Sequence, residues 1–213
     1  MSDLAAVFES HAASNHWRNP ESVSGDGSTL DYTYNLRHEL AKFLRGFHVV
    51  SMFDAPCGDF NWMRAVEFPQ GFTYAGGDIV ASLVEANRTR HAAPGRSFRR
   101  FDITSDPFPD ADLWFCRDCL FHLPSPIALA ALRGFARSRI GYVMTTTHLN
   151  VSNFENTEIE PGGFRLLDLY KPPYSLPREA LFRIADYVHP FPPRELVVWS
   201  RAQVAAALAR TGD

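Results

Sequence analysis

Three aspartates, Asp54, Asp78 and Asp102, stand 24 residues apart, each at the end of a strand pattern, and a fourth, Asp118, stands near the end of another. That interval is about one strand–helix unit. In an open parallel sheet the carboxyl ends of the strands are where a ligand is met. Helix capping accounts for any one of these acids; four in succession along one rim point to a binding site. The turn after the first acid, Asp54-Ala55-Pro56-Cys57-Gly58-Asp59-Phe60, discriminates among ligands. A dinucleotide needs several glycines so that backbone can approach its pyrophosphate. Here there is one glycine, a proline where another glycine would stand, and an acid near the phosphate position. A pyrophosphate would be repelled, whereas a cofactor carrying an ammonium and a sulfonium would be accepted. That favours S-adenosylmethionine over NAD.

The elements that must hold these residues alternate along the chain. Residues 1–19 read as a short amphipathic helix ending at Asn19-Pro20. A polar loop, Glu21 to Ser28, precedes a helical pattern from Thr29 to about Phe47, with Ser28 as its N-cap. An uninterrupted apolar run at 49–53 reads as a strand buried on both faces of a parallel sheet, and further strands read at 72–76, 98–101, 113–116 and 140–145. Helical patterns follow at 59–66, about 79–91 and about 125–136. A polar stretch rich in Gly and Pro, 147–177, leads to strand patterns at about 180–187 and 195–199, joined by a Pro-rich linker. This is an α/β chain with a mostly parallel sheet.

The segment from Phe53 to Met63, Phe-Asp-Ala-Pro-Cys-Gly-Asp-Phe-Asn-Trp-Met, resembles the first motif of class I S-adenosylmethionine-dependent methyltransferases. It is most similar to a small bacterial group whose motif reads D-[AG]-x-C-G-D-[FG]-N-W-M. Three further pieces resemble that group: Glu21 to Leu30, Cys116-Arg117-Asp118-Cys119-Leu120-Phe121-His122-Leu123, and Lys171 to Pro177. The general class I pattern has glycines where Pro56 and Phe60 stand. The small group usually has Pro at the position of Asp26, and more often an aromatic residue at that of His148.

The resemblance implies a Rossmann-like domain with a seven-stranded sheet in the order 3-2-1-4-5-7-6, strand 7 antiparallel and helices on both faces. It divides the chain into a capping segment, 1–47, and a core, 48–213, with an acceptor or lid segment at about 147–177. It further implies that Asp54, Ala55, Pro56 and Gly58 line the methionine end of the cofactor, with Trp62 nearby. Asp78 would take the ribose hydroxyls and Asp102 the adenine amino group, with Ile79 and Ile103 on the ring. Cys116 and Arg117 would flank the methionine, and Ser24, Gly25 and Ser28 would close over its carboxylate. The product would be S-adenosylhomocysteine.

Methyl transfer to a hydroxyl needs alignment and removal of a proton. Asp118, His122 and His148 lie on the same rim and are the candidate bases. Asn150, Arg165, Asp168, Tyr170 and Lys171, in the long segment, are the candidate acceptor-binding residues. Their polarity suits a small polar or glycosyl acceptor, as in polysaccharide or secondary-metabolite tailoring. The alternatives are N-methylation of a small amine, a subunit that binds the cofactor without turnover, and an NAD(P)-linked oxidoreductase, the last disfavoured by the glycine-poor turn.

Composition bounds the rest. The 213 residues are 46% hydrophobic and 21% charged, with 17 Phe, 7 Tyr and 4 Trp, which excludes a disordered chain. A net charge of −3 gives no global field for nucleic acid or anionic membrane, and neither partner is expected. Arg88, Arg90, His91, Arg96, Arg99 and Arg100 form a local basic patch, read as a solvated face. The start, Met1-Ser2-Asp3-Leu4, lacks the pattern of a signal peptide, and three cysteines fit a reducing compartment, so a cytoplasmic protein is expected. The Cys116-x-x-Cys119 pair has no second pair, and no cluster has metal-ligand spacing, so a metal-independent reaction is expected. The sequence does not name the oligomeric state; a homodimer is among the open partners.

Overall fold

A computed structural model describes residues 4–210; the first three residues of the expected N-terminal helix and the last three of the expected core lie outside them. The helices are α1 (Leu4–Ala13), α2 (Tyr34–Gly46), α3 (Ala81–His91), α4 (Ser125–Arg137) and α5 (Arg201–Arg210). The strands are β1 (Ser51–Asp54), β2 (Thr73–Asp78), β3 (Arg96–Arg100), β4 (Leu113–Cys116), β5 (Tyr142–His148), β6 (Phe182–Ala185) and β7 (Arg194–Ser200). They form a seven-stranded sheet in the order β3-β2-β1-β4-β5-β7-β6. β1 pairs parallel with β2, β2 with β3, and β4 with β5, while β7 runs antiparallel to β5 and β6. The expected order and the antiparallel seventh strand are both present.

The chain forms two compact units that divide between Asp102 and Ile103. In the first, Leu36, Leu40, Phe43 and Leu44 of α2 are buried, as are Met52 and Phe53 of β1. Phe53 meets Phe101 edge to face at 4.7 Å. Two glycines of β2 make room for such rings: a Cβ at Gly76 would stand 2.6 Å from Phe98, and one at Gly77 2.6 Å from Phe53. Arg88 donates to the Phe98 carbonyl at 2.9 Å, and Arg99 lies over the Phe53 and Phe101 rings, so part of the basic patch ties α3 to β3. In the second unit all four residues of β4 are buried, and Trp114 packs against Phe108 and Phe135. Among the described residues no helix is long and apolar enough to cross a membrane.

Four expectations change. The helix expected to run to Asn19 ends at Ala13 and gives way to turns at 14–17, with Asn15 at a φ of 46°. The helix expected at 59–66 is a single 3-10 turn, Met63–Ala65, because Gly58 and Phe60 adopt positive φ (54° and 59°), which ends helical propagation before it starts. The helix expected from Thr29 begins at Tyr34, and Ser28 belongs to a separate 3-10 turn. Long-range bonds hold 28–33 in turns: Leu30 donates its N–H to Glu21, and Asn61 donates to the Ser28 carbonyl. Finally, α5 closes the chain where no helix was expected. Its start is a reciprocal cap, with Ser200 N–H donating to Gln203 Oε1 at 2.9 Å and Gln203 N–H to Ser200 Oγ at 3.2 Å.

Candidate functional site

In the first unit, Asp54 ends β1 and Asp78 ends β2, and both side chains are buried. Tyr74 Oη donates to Asp54 Oδ2 at 2.6 Å. Burial and that carboxylate push the Tyr74 phenol well above its ordinary range. Asp78 accepts the Gly58 N–H on Oδ2 (2.9 Å) and the Val80 N–H on Oδ1 (3.0 Å). Burial outweighs both bonds and raises its pKa from 3.8 to about 6. A carboxylate offers about four acceptor positions, so each oxygen retains capacity for a hydroxyl. Gly58 ties the turn after β1 to Asp78. Its φ of 54° favours glycine, and a Cβ there would stand 2.4 Å from Ser24 Oγ.

Contrary to the expectation from sequence, Asp59 does not present its charge to a ligand. Its Oδ2 accepts from Ser22 Oγ (2.8 Å) and the Val23 N–H (3.0 Å), and its Oδ1 from the Asn61 N–H (3.2 Å). Asn61 Nδ2 in turn donates to Glu21 (2.7 Å). The capping segment is thereby fastened to the first-motif turn, bringing Ser24 onto Gly58 and Ser28 to Asn61, while Gly25 lies against Trp17. Ala55 and Trp62 are buried, Pro56 follows a cis peptide bond, and Ile79 is half-buried. Asp102 is half-buried two residues beyond β3.

In the second unit Ile103 is buried and lines a cleft of about 410 Å³ with Phe108, Gly134 and Arg137. Cys116, the last residue of β4, is buried. The Arg117 guanidinium is committed to Asp186 through two bonds, 2.8 and 3.0 Å, and approaches Asp118 at 3.4 Å. A methionine-flanking role is therefore left to its backbone. Asp118 sits at φ 51° with its side chain 22% exposed. Arg194 donates to it at 2.8 Å, and Thr146 Oγ1 both donates to its carboxylate (3.2 Å) and accepts its N–H (2.9 Å). Burial raises its pKa, but Arg117, Arg194 and His122 win, so the carboxyl stays below its ordinary value and anionic.

The two histidines differ in tautomer. His148, at the end of β5, is only 1% exposed; its Nδ1 accepts the Leu167 N–H at 3.1 Å. In the neutral ring the hydrogen is then on Nε2, which is buried without a hydrogen-bond partner. Burial first, and then the Arg194 charge, lower its pKa from 6.5 to about 4. A nitrogen that is occupied and a nitrogen that carries the hydrogen leave no lone pair for a proton, so the base role expected of His148 does not fit. His122 is the reverse: its Nδ1 lies 2.6 Å from the Gly163 carbonyl, which can only accept. The hydrogen is on Nδ1 and the lone pair on Nε2. Both imidazoles pack on the same rings. Phe121 is 4.5 Å from His122 and 5.1 Å from His148, and Phe164 is 6.1 and 6.0 Å away.

The long segment after β5 is pinned by the very residues expected to bind an acceptor. Arg165, its side chain 2% exposed, donates to Ser125 Oγ (2.9 Å), the Leu123 carbonyl (2.6 Å), the Thr157 carbonyl (2.5 Å) and Tyr174 Oη (2.9 Å). Asn150 donates to Asp168 (3.1 Å), and Asp168 also accepts the Tyr170 N–H (2.9 Å). Tyr170 Oη donates to Glu195 (2.9 Å), and Lys171 to the Phe154 carbonyl (2.9 Å) and Glu155 (2.7 Å). Phe121, Thr146, Phe164, Asp186 and Arg194 shape the site but were not singled out from the sequence. Of these only Phe121 lay inside a recognised motif.

Neither a family model nor a curated protein matches the sequence. Solved structures do match. The magnesium protoporphyrin IX methyltransferase of Synechocystis PCC 6803, solved with bound SAM, superposes with a TM-score of 0.62 at 14% identity, over 93% of this chain and 97% of that one. The fold is that of the class I methyltransferases. The methyltransferase domain of the bacterial protein CtHen1 gives 0.61 at 14% identity over 79% of this chain and 98% of that one. A SAM-dependent methyltransferase of Anabaena variabilis ATCC 29413 gives 0.57 at 15% identity over 93% and 95%.

Proposed function

We propose that this chain is an S-adenosylmethionine-dependent methyltransferase that methylates a hydroxyl of a small acceptor. The observation that carries the reading is Asp78: a carboxyl buried at the end of β2 and held on the Gly58 N–H, with its pKa raised to about 6 by burial. Strained titratable groups of this kind collect at functional sites. In this fold a carboxylate with acceptor capacity left on both oxygens suits the two hydroxyls of a ribose. Asp78 would hold the ribose, the Asp54–Gly58 turn the methionine end, and Ser24 and Ser28 the rim above it. The cofactor fits this lining better than a dinucleotide does, because two buried carboxyls and a single glycine give a pyrophosphate no cradle. When bound, S-adenosylmethionine supplies a methyl on a sulfonium that departs as a neutral thioether.

Hydroxyl methylation is favoured over that of a cationic amine because Asp118 is already balanced by Arg117 and Arg194. The glycosyl acceptor expected from the polar residues of 147–177 loses its main support, since those residues are bonded to other parts of the chain. A cytoplasmic setting is part of this proposal. Calorimetry tests it: S-adenosylhomocysteine should bind the wild-type chain, and Asp78→Asn should weaken it about tenfold or more, the loss of charged hydrogen bonds. Binding of NADH with none of S-adenosylhomocysteine overturns the reading.

A further inference from the structure

We propose that Asn87 of α3 is a positioning residue for the cofactor: it holds the Gly58 carbonyl, keeps the Gly58 N–H on Asp78, and so orients the carboxyl that takes the ribose. This rests on the methyltransferase reading and adds to its site a residue that acts through another.

The make-up of α3 sets Asn87 apart. Of the eleven residues of this helix only Val84 and Asn87 are buried, and Asn87 is 2% exposed. Asparagine is a poor former of helix interiors, and a buried amide left without a partner is costly. Apolar residues would suit such a position better unless the amide is used. It is used on the first-motif turn, 29 residues away in sequence: Nδ2 donates to the Gly58 carbonyl at 2.8 Å and lies 3.8 Å from Cys57 Sγ.

The turn needs that hold because it pivots on a glycine at φ 54°, the residue with the widest choice of backbone conformations. On the β2 side, the Cys57 N–H donates to the Gly77 carbonyl and the Gly58 N–H to Asp78 Oδ2, each at 2.9 Å. On the α3 side, Asn87 takes the Gly58 carbonyl, so the two peptide groups flanking Gly58 are held by one bond each. Val80, just ahead of α3, donates to Asp78 Oδ1 at 3.0 Å. Asn87 lies two helical turns further on the same face, about 10 Å along the axis. The helix therefore grips the site at both points, through Asp78 and through Gly58. One bond on each oxygen fixes the plane of the Asp78 carboxyl. With Asn87 gone, Gly58 is free to leave its φ, the turn carries the N–H off Oδ2, and the carboxyl turns on its remaining bond to Val80.

Ligand-detected NMR on the full chain tests this with adenosine, which carries both ribose hydroxyls, and 2′,3′-dideoxyadenosine, which carries neither. Asn87→Leu, close in volume and at home in a helix, should bind adenosine about tenfold more weakly than wild type and the dideoxy compound within about twofold. Equal loss for both nucleosides makes Asn87 merely structural and overturns the proposal, as does no loss for either. In Asp78→Ala no carboxyl remains to orient, so adding Asn87→Leu should weaken adenosine by about twofold at most; a further tenfold loss overturns the proposal. A measurement on the wild-type chain needs no variant to fold: the scalar coupling across the hydrogen bond from Asn87 Nδ2 to the Gly58 carbonyl carbon should persist with S-adenosylhomocysteine bound, and its disappearance on binding overturns the proposal. If the wild type binds neither S-adenosylhomocysteine nor adenosine, the methyltransferase reading falls and this inference with it. If it binds both and Asn87→Leu matches it throughout, this inference alone falls.

Discussion

His148 should make the protein unfold more easily in acid, and by a calculable amount. Its pKa is about 4 in the folded chain and 6.5 when the ring is freed. Between those values the unfolded chain binds a proton that the folded chain refuses, so stability falls as pH falls. The contribution is fully present above pH 6.5 and is lost on approach to pH 4. With about 1.4 kcal/mol per pH unit of difference, His148 accounts for about 3 kcal/mol. The ring is almost wholly buried, so solvent screening does not reduce this figure much. Other groups titrate in the same range, and the comparison with His148→Gln removes them. Urea unfolding of both proteins at pH 7.5 and pH 4 should show the wild type losing about 3 kcal/mol more than the variant. Parallel losses would refute the burial argument.

Asp78 should behave with the opposite sign. Its folded pKa is raised, so its contribution is present below pH 3.8 and is lost as pH rises through about 6. Unfolding of Asp78→Asn should therefore gain about 2.5 kcal/mol on wild type between pH 4 and pH 8, even as S-adenosylhomocysteine binding weakens. Arg165→Met should destabilise the chain by about 3 kcal/mol, since it orphans several buried acceptors, and should open 149–176 to proteolysis; unchanged urea midpoints would show that the segment is held elsewhere. Gly58→Ala should weaken S-adenosylhomocysteine about tenfold through strain at φ 54° and the clash with Ser24, and adding Ser24→Gly should recover part of it; calorimetry on both variants decides.

Much of the fold was legible because its signals are local. The runs that became β1 and β4 are apolar without alternation, as interior parallel strands are; Asp54 ends β1 and Asp118 stands two residues past β4. Misreadings arose where distant residues overrule local pattern. Positions 29–33 carry helical spacing, but Glu21 and Asn61 hold the neighbouring backbone in turns. The helix expected at 59–66 failed on backbone conformation at Gly58 and Phe60. α5 was missed although its signal was present, a Ser200-x-x-Gln203 cap ahead of an alanine-rich run.

The site divides along the same line, and for a reason that bears on its chemistry. Residue type and spacing identified Asp54, Asp78, Asp118, His122 and His148, but a histidine's role depends on which nitrogen holds the hydrogen. Here that is decided by one backbone N–H from Leu167 and one carbonyl from Gly163, both contributed by the long segment after β5. No side chain encodes either contact. The sequence specifies them indirectly, through Arg165, Asp168 and Lys171, which fix the path of that segment by bonding within it and to the start of α4. Those polar residues looked like substrate ligands because buried, paired side chains and ligand-facing ones share the same chemistry. What separates them is the partner, and each of these partners is another part of the chain.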